Sequence, residues 1–143
     1  MAFAREIGKQ LKTGDWVALV GELGTGKTVF VKGLAESLHL VDSPSSPTFS
    51  IVKTYRAKKN GIPLRHVDLY RLAPAEIPAL EWEELHDDHG VTVVEWAEKA
   101  QALWPTSCLP IRLSHQGQDK RLFEVYVYGA RSEEIIKHLK RVP

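Results

Sequence analysis

The chain has 143 residues, 43% hydrophobic and 26% charged, a length and composition that exclude a disordered or fibrous chain and support one packed domain spanning 1–143. Nineteen basic against eighteen acidic side chains leave a net charge of +1, which excludes a global field toward nucleic acid or anionic membrane. Any contact with RNA is therefore local or made through a partner.

The spacing of Phe3, Ile7 and Leu11 predicts a helix over 2–12, broken by Gly14 and Asp15. Trp16-Val17-Ala18-Leu19-Val20 is apolar on both faces, as a central parallel strand covered on each side requires. The glycine-rich run Gly21-Glu22-Leu23-Gly24-Thr25-Gly26-Lys27-Thr28 follows directly, and Val29, Phe30, Leu34 and Leu38 then recur at helical spacing. Ser43 to Thr48 reads as a loop because Pro44 and Pro47 lack an N–H and push their predecessors out of the helical region. Ile51–Tyr55 and Ile62–Leu69 flank the exposed turn Lys58-Lys59-Asn60-Gly61 and predict a hairpin. Glu76 to His86 is predicted helical, and Val91–Val94 is a second buried strand. Glu95-Trp96-Ala97-Glu98 leads into a short helix ended by Trp104-Pro105. Leu109–Leu113 and Leu122–Tyr128 predict an antiparallel hairpin around Gln116 to Asp119, and Ser132 is placed as the N-cap of a last helix carrying Ile135, Ile136 and Leu139. The expected fold is a small α/β, P-loop NTPase-like sandwich with a mainly parallel central sheet and an antiparallel edge hairpin.

The lone cysteine, Cys108, forms no internal disulfide, and Met1 to Glu6 lacks a basic end followed by an apolar core. Both features predict a reducing, cytoplasmic setting. The apolar runs fall well short of the ~20 residues that cross a bilayer. Six histidines form no zinc-type pattern, and Lys137, Lys140 and Arg141 read as a solvated helix face.

The chemistry concentrates in Gly21–Thr28. Glycines let the loop backbone curl its N–H groups toward a polyphosphate, and the following helix N-terminus adds partial positive charge. Leu23, Gly24, Thr25, Gly26, Lys27 and Thr28 form the candidate phosphate cradle for ATP or ADP, with Lys27 reaching the β- and γ-phosphates and the Thr28 hydroxyl on Mg2+. Residue frequencies put a chance match in a chain of this length well under ~1%. Such a loop also needs a carboxylate at a neighbouring strand end, for metal ligation and for orienting water. Asp68 and Glu95 both end apolar stretches; each also reads as a solvated strand-end charge or a helix N-cap.

Four ordered blocks resemble the bacterial threonylcarbamoyladenosine biosynthesis ATPases of the TsaE (YjeE) family: Gly21–Thr28, Ser46-Pro47-Thr48-Phe49, His66-Val67-Asp68-Leu69-Tyr70-Arg71 and Val94-Glu95-Trp96-Ala97-Glu98. The resemblance runs from about Phe3 to Tyr128. It implies a hydrolase that splits ATP to ADP and phosphate, weakly without partners. Its role would be to support TsaD and TsaB as they attach threonylcarbamoyl to the adenosine beside the anticodon of certain tRNAs. By this likeness Thr28 and Glu95 are metal ligands, Asp68 is a catalytic carboxylate near the γ-phosphate, and Thr48 lies in a switch loop. Trp96, Glu98 and Arg121 are placed beside the nucleotide, although Trp96 also reads as a packed tryptophan and Arg121 as an exposed hairpin arginine. The further strand and Thr that the family carries ahead of the first helix have no matching residues here, so contacts to the base are not assigned. A small-metabolite kinase shares the loop, but no lid or acceptor-binding insertion is evident. A nucleotide-gated assembly module is the non-enzymatic alternative.

Overall fold

The computed structural model describes residues 2–21, 27–44, 51–79, 89–117 and 120–139, with only the backbone of Lys27, Pro74 and Ala79. Helix α1 (Ala2–Gln10) is followed by strand β1 (Trp16–Gly21), helix α2 (Lys27–Glu36), and strands β2 (Val52–Tyr55) and β3 (Leu64–Asp68). A 3₁₀ segment, Pro74–Ala79, precedes β4 (Val91–Glu95), and a second, Ala97–Leu103, precedes β5 (Cys108–His115), β6 (Arg121–Val125) and helix α3 (Ala130–His138).

The six strands form one sheet in the order β2-β3-β4-β1-β5-β6. The inner four are parallel; β2 and β6 run antiparallel to their neighbours at the two edges. An antiparallel pair thus stands at each edge, formed by the two hairpins expected from the sequence. The buried pattern explains the positions. Trp16–Leu19 and the whole of β4 are buried, and only covered central strands can bury both faces.

Alternation splits the core in two. Val17, Leu19, Leu64, Val91 and Val93 face one side with Phe30, Leu34 and Ile135, under the three helices. Trp16, Ala18, Val67 and Val94 face the other, with Ile77, Ala97 and Ala100 of the 3₁₀ segments. Helices α1 and α2 approach closely at Gly8, where a Cβ would lie 2.5 Å from the Leu34 carbonyl oxygen, so the position tolerates no side chain. Cys108 is buried in the second cluster, and desolvation pushes its thiol up to about 12, which removes it as a nucleophile at neutral pH.

Two expectations change. Glu76 to His86 was expected to be helical; the described part lies in the 3₁₀ segment Pro74–Ala79, where Pro78 lacks the N–H that an α-helix would donate to the Pro74 carbonyl, and 80–88 lie outside the described residues. Ser132 is not the N-cap of α3. Gly129 takes that position, and Ser132 is the N3 residue, whose Oγ accepts from the N–H groups of Tyr128 (2.7 Å) and Gly129 (3.0 Å). The hydroxyl reaches back rather than forward, as the second half of a capping box does. Among the described residues no helix is long and apolar enough to cross a membrane.

Candidate functional site at the carboxyl ends of the parallel strands

Strand β1 ends at Gly21 and α2 begins at Lys27, so Gly21–Thr28 connects a buried parallel strand to a helix. Leu23, Gly24, Thr25 and Gly26 lie outside the described residues, as does Thr48. Lys27 is the first residue of α2, and Thr28 is half-buried in its first turn. Helix α2 is ten residues long, and its opening N–H groups with their partial positive charge suit an anion.

The two candidate carboxylates stand side by side. Strands β3 and β4 are parallel with Asp68 opposite Glu95, and β4 in turn pairs Glu95 with Leu19 of β1. By alternation, Asp68 and Glu95 share the sheet face of Leu64, Val91 and Val93, on which α2 packs. Asp68 is half-buried, and its Oδ1 accepts from the Tyr70 N–H at 3.0 Å, a local turn that fixes the carboxylate at the strand end.

Glu95 is only 4% exposed, which removes its reading as a solvated strand-end charge. A buried carboxylate needs a hydrogen-bond donor, and fully buried His66 supplies one, with Nε2 2.5 Å from Glu95 Oε2. The other ring nitrogen, Nδ1, is buried and has no hydrogen-bond partner among the described residues. His66 was missed in the sequence as one of six unpatterned histidines. The available signal was its place two residues before Asp68, which puts both on one face of a strand.

Trp96 follows in the left-handed region, φ 59° and ψ 36°, and turns the chain off the strand into the 3₁₀ segment Ala97–Leu103. Its ring packs on Tyr70 at 5.0 Å between centroids. Lys99 ties the same corner, its Nζ donating to the carbonyls of Tyr70 (2.8 Å) and Leu72 (3.1 Å). Exposed Glu98 accepts from the Gly21 N–H at 3.4 Å, at the start of the glycine-rich run. A cleft of about 550 Å³ opens here, lined by Val20, Gly21, Trp96, Glu98, Arg112 and His115 among others.

Arg112 is a second residue that sequence reasoning passed over. It pairs in register with Val20, one step before the loop, and the only signal was a charge interrupting the apolar run Leu109 to Leu113. Arg121 opens β6 opposite His115, is exposed, and donates to the Lys120 carbonyl at 3.2 Å; it is not among the described residues lining the cleft.

The donor set fits a hard cation beside an anion. The Thr28 hydroxyl and the Glu95 carboxylate offer oxygen donors, and magnesium takes one or two such groups together with phosphate oxygens rather than a protein cage. Among the described residues no group of three or more His, Cys, Asp or Glu could form such a cage.

A parallel strand running through a glycine-rich loop into a helix, with carboxylates ending the next two strands on one side, β4 and β3, defines a P-loop fold. Bacillus subtilis YdiB, a solved crystal structure, shares it with a TM-score of 0.76 and 34% identity, over 95% of this chain and 83% of that one. The family model for the threonylcarbamoyl adenosine biosynthesis protein TsaE matches residues 1–123, and the chain belongs to the TsaE family. The tRNA threonylcarbamoyladenosine biosynthesis protein TsaE of Bacillus subtilis (strain 168) is 38% identical over 91% of this chain and 80% of its own length. Its namesake from Nostoc sp. (strain PCC 7120) is 31% identical over 91% and 81%.

Proposed function

We propose that this chain is a magnesium-dependent ATPase that hydrolyses ATP to ADP and phosphate in the cytoplasm, in support of threonylcarbamoyladenosine formation next to the tRNA anticodon. In this reading it works with TsaD and TsaB and meets tRNA through their complex. The observation that carries the proposal is the placement of Glu95 at the end of β4, next to β1 and its junction with α2, with Asp68 paired to it in register on β3 beyond.

Each residue has a part that its position supports. The N–H groups of the loop and of the first turn of α2 would bind the phosphates, and Lys27 would face the β- and γ-phosphates. Thr28 and Glu95 would hold the magnesium, which when bound neutralises charge on the phosphate oxygens. Asp68, fixed by the Tyr70 N–H, would orient the attacking water and accept its proton as the bond between the γ-phosphorus and ADP breaks. Trp96 and Glu98 line the adjoining cleft and would border the nucleotide.

The test is release of ADP and phosphate by the chain alone and with TsaD and TsaB, with no phosphate acceptor added. Slow release that rises with the partners is expected. Release only on addition of a small-molecule acceptor would make the chain a kinase, and ATP binding without turnover in either setting would leave a nucleotide-gated assembly module.

A further inference from the structure

We propose that His66 is a positioning residue for Glu95: its Nε2–H holds Oε2 so that Oε1 is presented to a divalent cation. This rests on the reading of Glu95 as a metal ligand.

Three observations lead there. Strand alternation places His66 on the face of Asp68, one pleat earlier, and the parallel register places Glu95 directly beside Asp68. The histidine therefore lies under the pair of carboxylates, inside the sheet, with 0% exposure against 4% for Glu95. Second, Nδ1 is buried without a partner among the described residues, so a hydrogen on that atom would be an unsatisfied buried donor. A hydrogen therefore belongs on Nε2, and among the described residues the ring's hydrogen bonding is committed to Glu95. Third, His66 is the partner that the described residues give Glu95, and it engages one oxygen only. An imidazole N–H on one carboxylate oxygen orients the group and leaves the second oxygen for the metal.

A pair kept only for packing would be indifferent to which donor holds Glu95 as long as the fold survives. A positioning residue makes metal affinity depend on that donor. Outer partners of metal ligands typically carry about 10- to 100-fold in metal affinity.

The experiment uses the purified chain with a fluorescent ADP analogue, titrated with magnesium and, separately, in EDTA. His66→Leu removes the donor at similar bulk, and His66→Gln keeps an N–H near the Nε2 position. The magnesium concentration for half-maximal nucleotide binding is expected to rise about tenfold or more in His66→Leu and to stay within about threefold of the parent in His66→Gln, with binding in EDTA unchanged in both. Nitrogen-15 NMR of the histidine rings in nucleotide-free protein is expected to show His66 as the Nε2–H tautomer, with a resonance that moves in Glu95→Gln. An Nδ1–H tautomer overturns the inference even if His66→Leu fails to fold. A folded His66→Leu with parental magnesium dependence, beside a Glu95→Gln that has lost it, overturns the positioning role and leaves the reading of Glu95 intact. Unchanged magnesium dependence in Glu95→Gln overturns that reading and the inference with it.

Discussion

Two buried carboxylates sit at opposite ends of the central sheet, and their surroundings differ in kind. Asp15, just ahead of β1, is saturated: Arg131 donates from Nε to Oδ1 and from Nη2 to Oδ2, both at 2.8 Å, and the Lys12 N–H adds a bond to Oδ2 at 2.7 Å. The guanidinium is also engaged by the Gln10 carbonyl at 2.6 Å and by Glu134 at 3.1 Å. The hydrogen bonds that Arg131 donates to Asp15 hold its pKa above the ordinary value, so the guanidinium stays charged throughout the working range. Glu95, at the far end, has one oxygen on His66 and, among the described residues, no hydrogen bond to the other. A saturated carboxylate has nothing left to offer a ligand and serves the fold, here by tying α3 to the chain between α1 and β1. A half-engaged one, at the end of the strand paired with β1, still has an oxygen to offer a ligand.

The contrast can be broken from either end. Arg131→Ala should cost about 3 kcal/mol of unfolding free energy, because it leaves the buried Asp15 charge uncompensated. Denaturant unfolding measures it, and nucleotide affinity should be unaltered; a loss of affinity in folded protein would mean that the clamp also shapes the site. Lys27→Ala should do the reverse. Removing about 3 kcal/mol of charge-assisted hydrogen bonding to phosphate weakens ATP binding by roughly 100-fold, with little change in melting temperature. Unchanged ATP affinity by calorimetry would refute the phosphate-cradle reading of Gly21–Thr28. The smallest effect is optical. Trp96 adjoins Glu95 and lines the cleft, so intrinsic fluorescence should change when ADP or ATP binds, and Trp96→Phe should remove most of that change. Trp16 starts β1, roughly 15 Å of strand from Gly21, and makes a poor reporter. A full signal in the Trp96→Phe protein would assign Trp96 to packing against Tyr70 alone.

Much of this architecture is legible in the chain because central parallel strands must be apolar on both faces. Trp16 to Val20 and Val91 to Val94 announce themselves in that way, and the glycine-rich run between the first of them and an amphipathic helix marks the candidate site. Strand order is not legible, since β1 takes its neighbours from β4 and β5 and local periodicity carries no information about so distant a pairing. His66 and Arg112 were lost for that reason. Each matters through register, His66 by lying one pleat below the Asp68–Glu95 pair and Arg112 by lying opposite Val20. The segment from Glu76 was expected to be helical and its described part is so only as a 3₁₀ segment, because Pro78 denies a backbone hydrogen bond that an α-helix would make.

The position of β1 also bears on how the protein is made. It is an early strand in the sequence and an inner strand in the sheet, flanked by β4, which begins at Val91, and β5, which begins at Cys108. At about 5–20 residues per second, a ribosome needs on the order of 4–15 s after Gly21 before the first of those neighbours exists. Until then the apolar strand Trp16–Gly21 has neither of its ladders, and the turn from it into α2 has no fixed frame. Such non-local pairing gives a high contact order and slow folding relative to helical proteins of this size. The loop that reads so clearly in the first thirty residues becomes a built site only when most of the chain has been synthesised. Fragments that stop before β4 and β5 should accordingly be handled as aggregation-prone chains rather than as miniature versions of the domain.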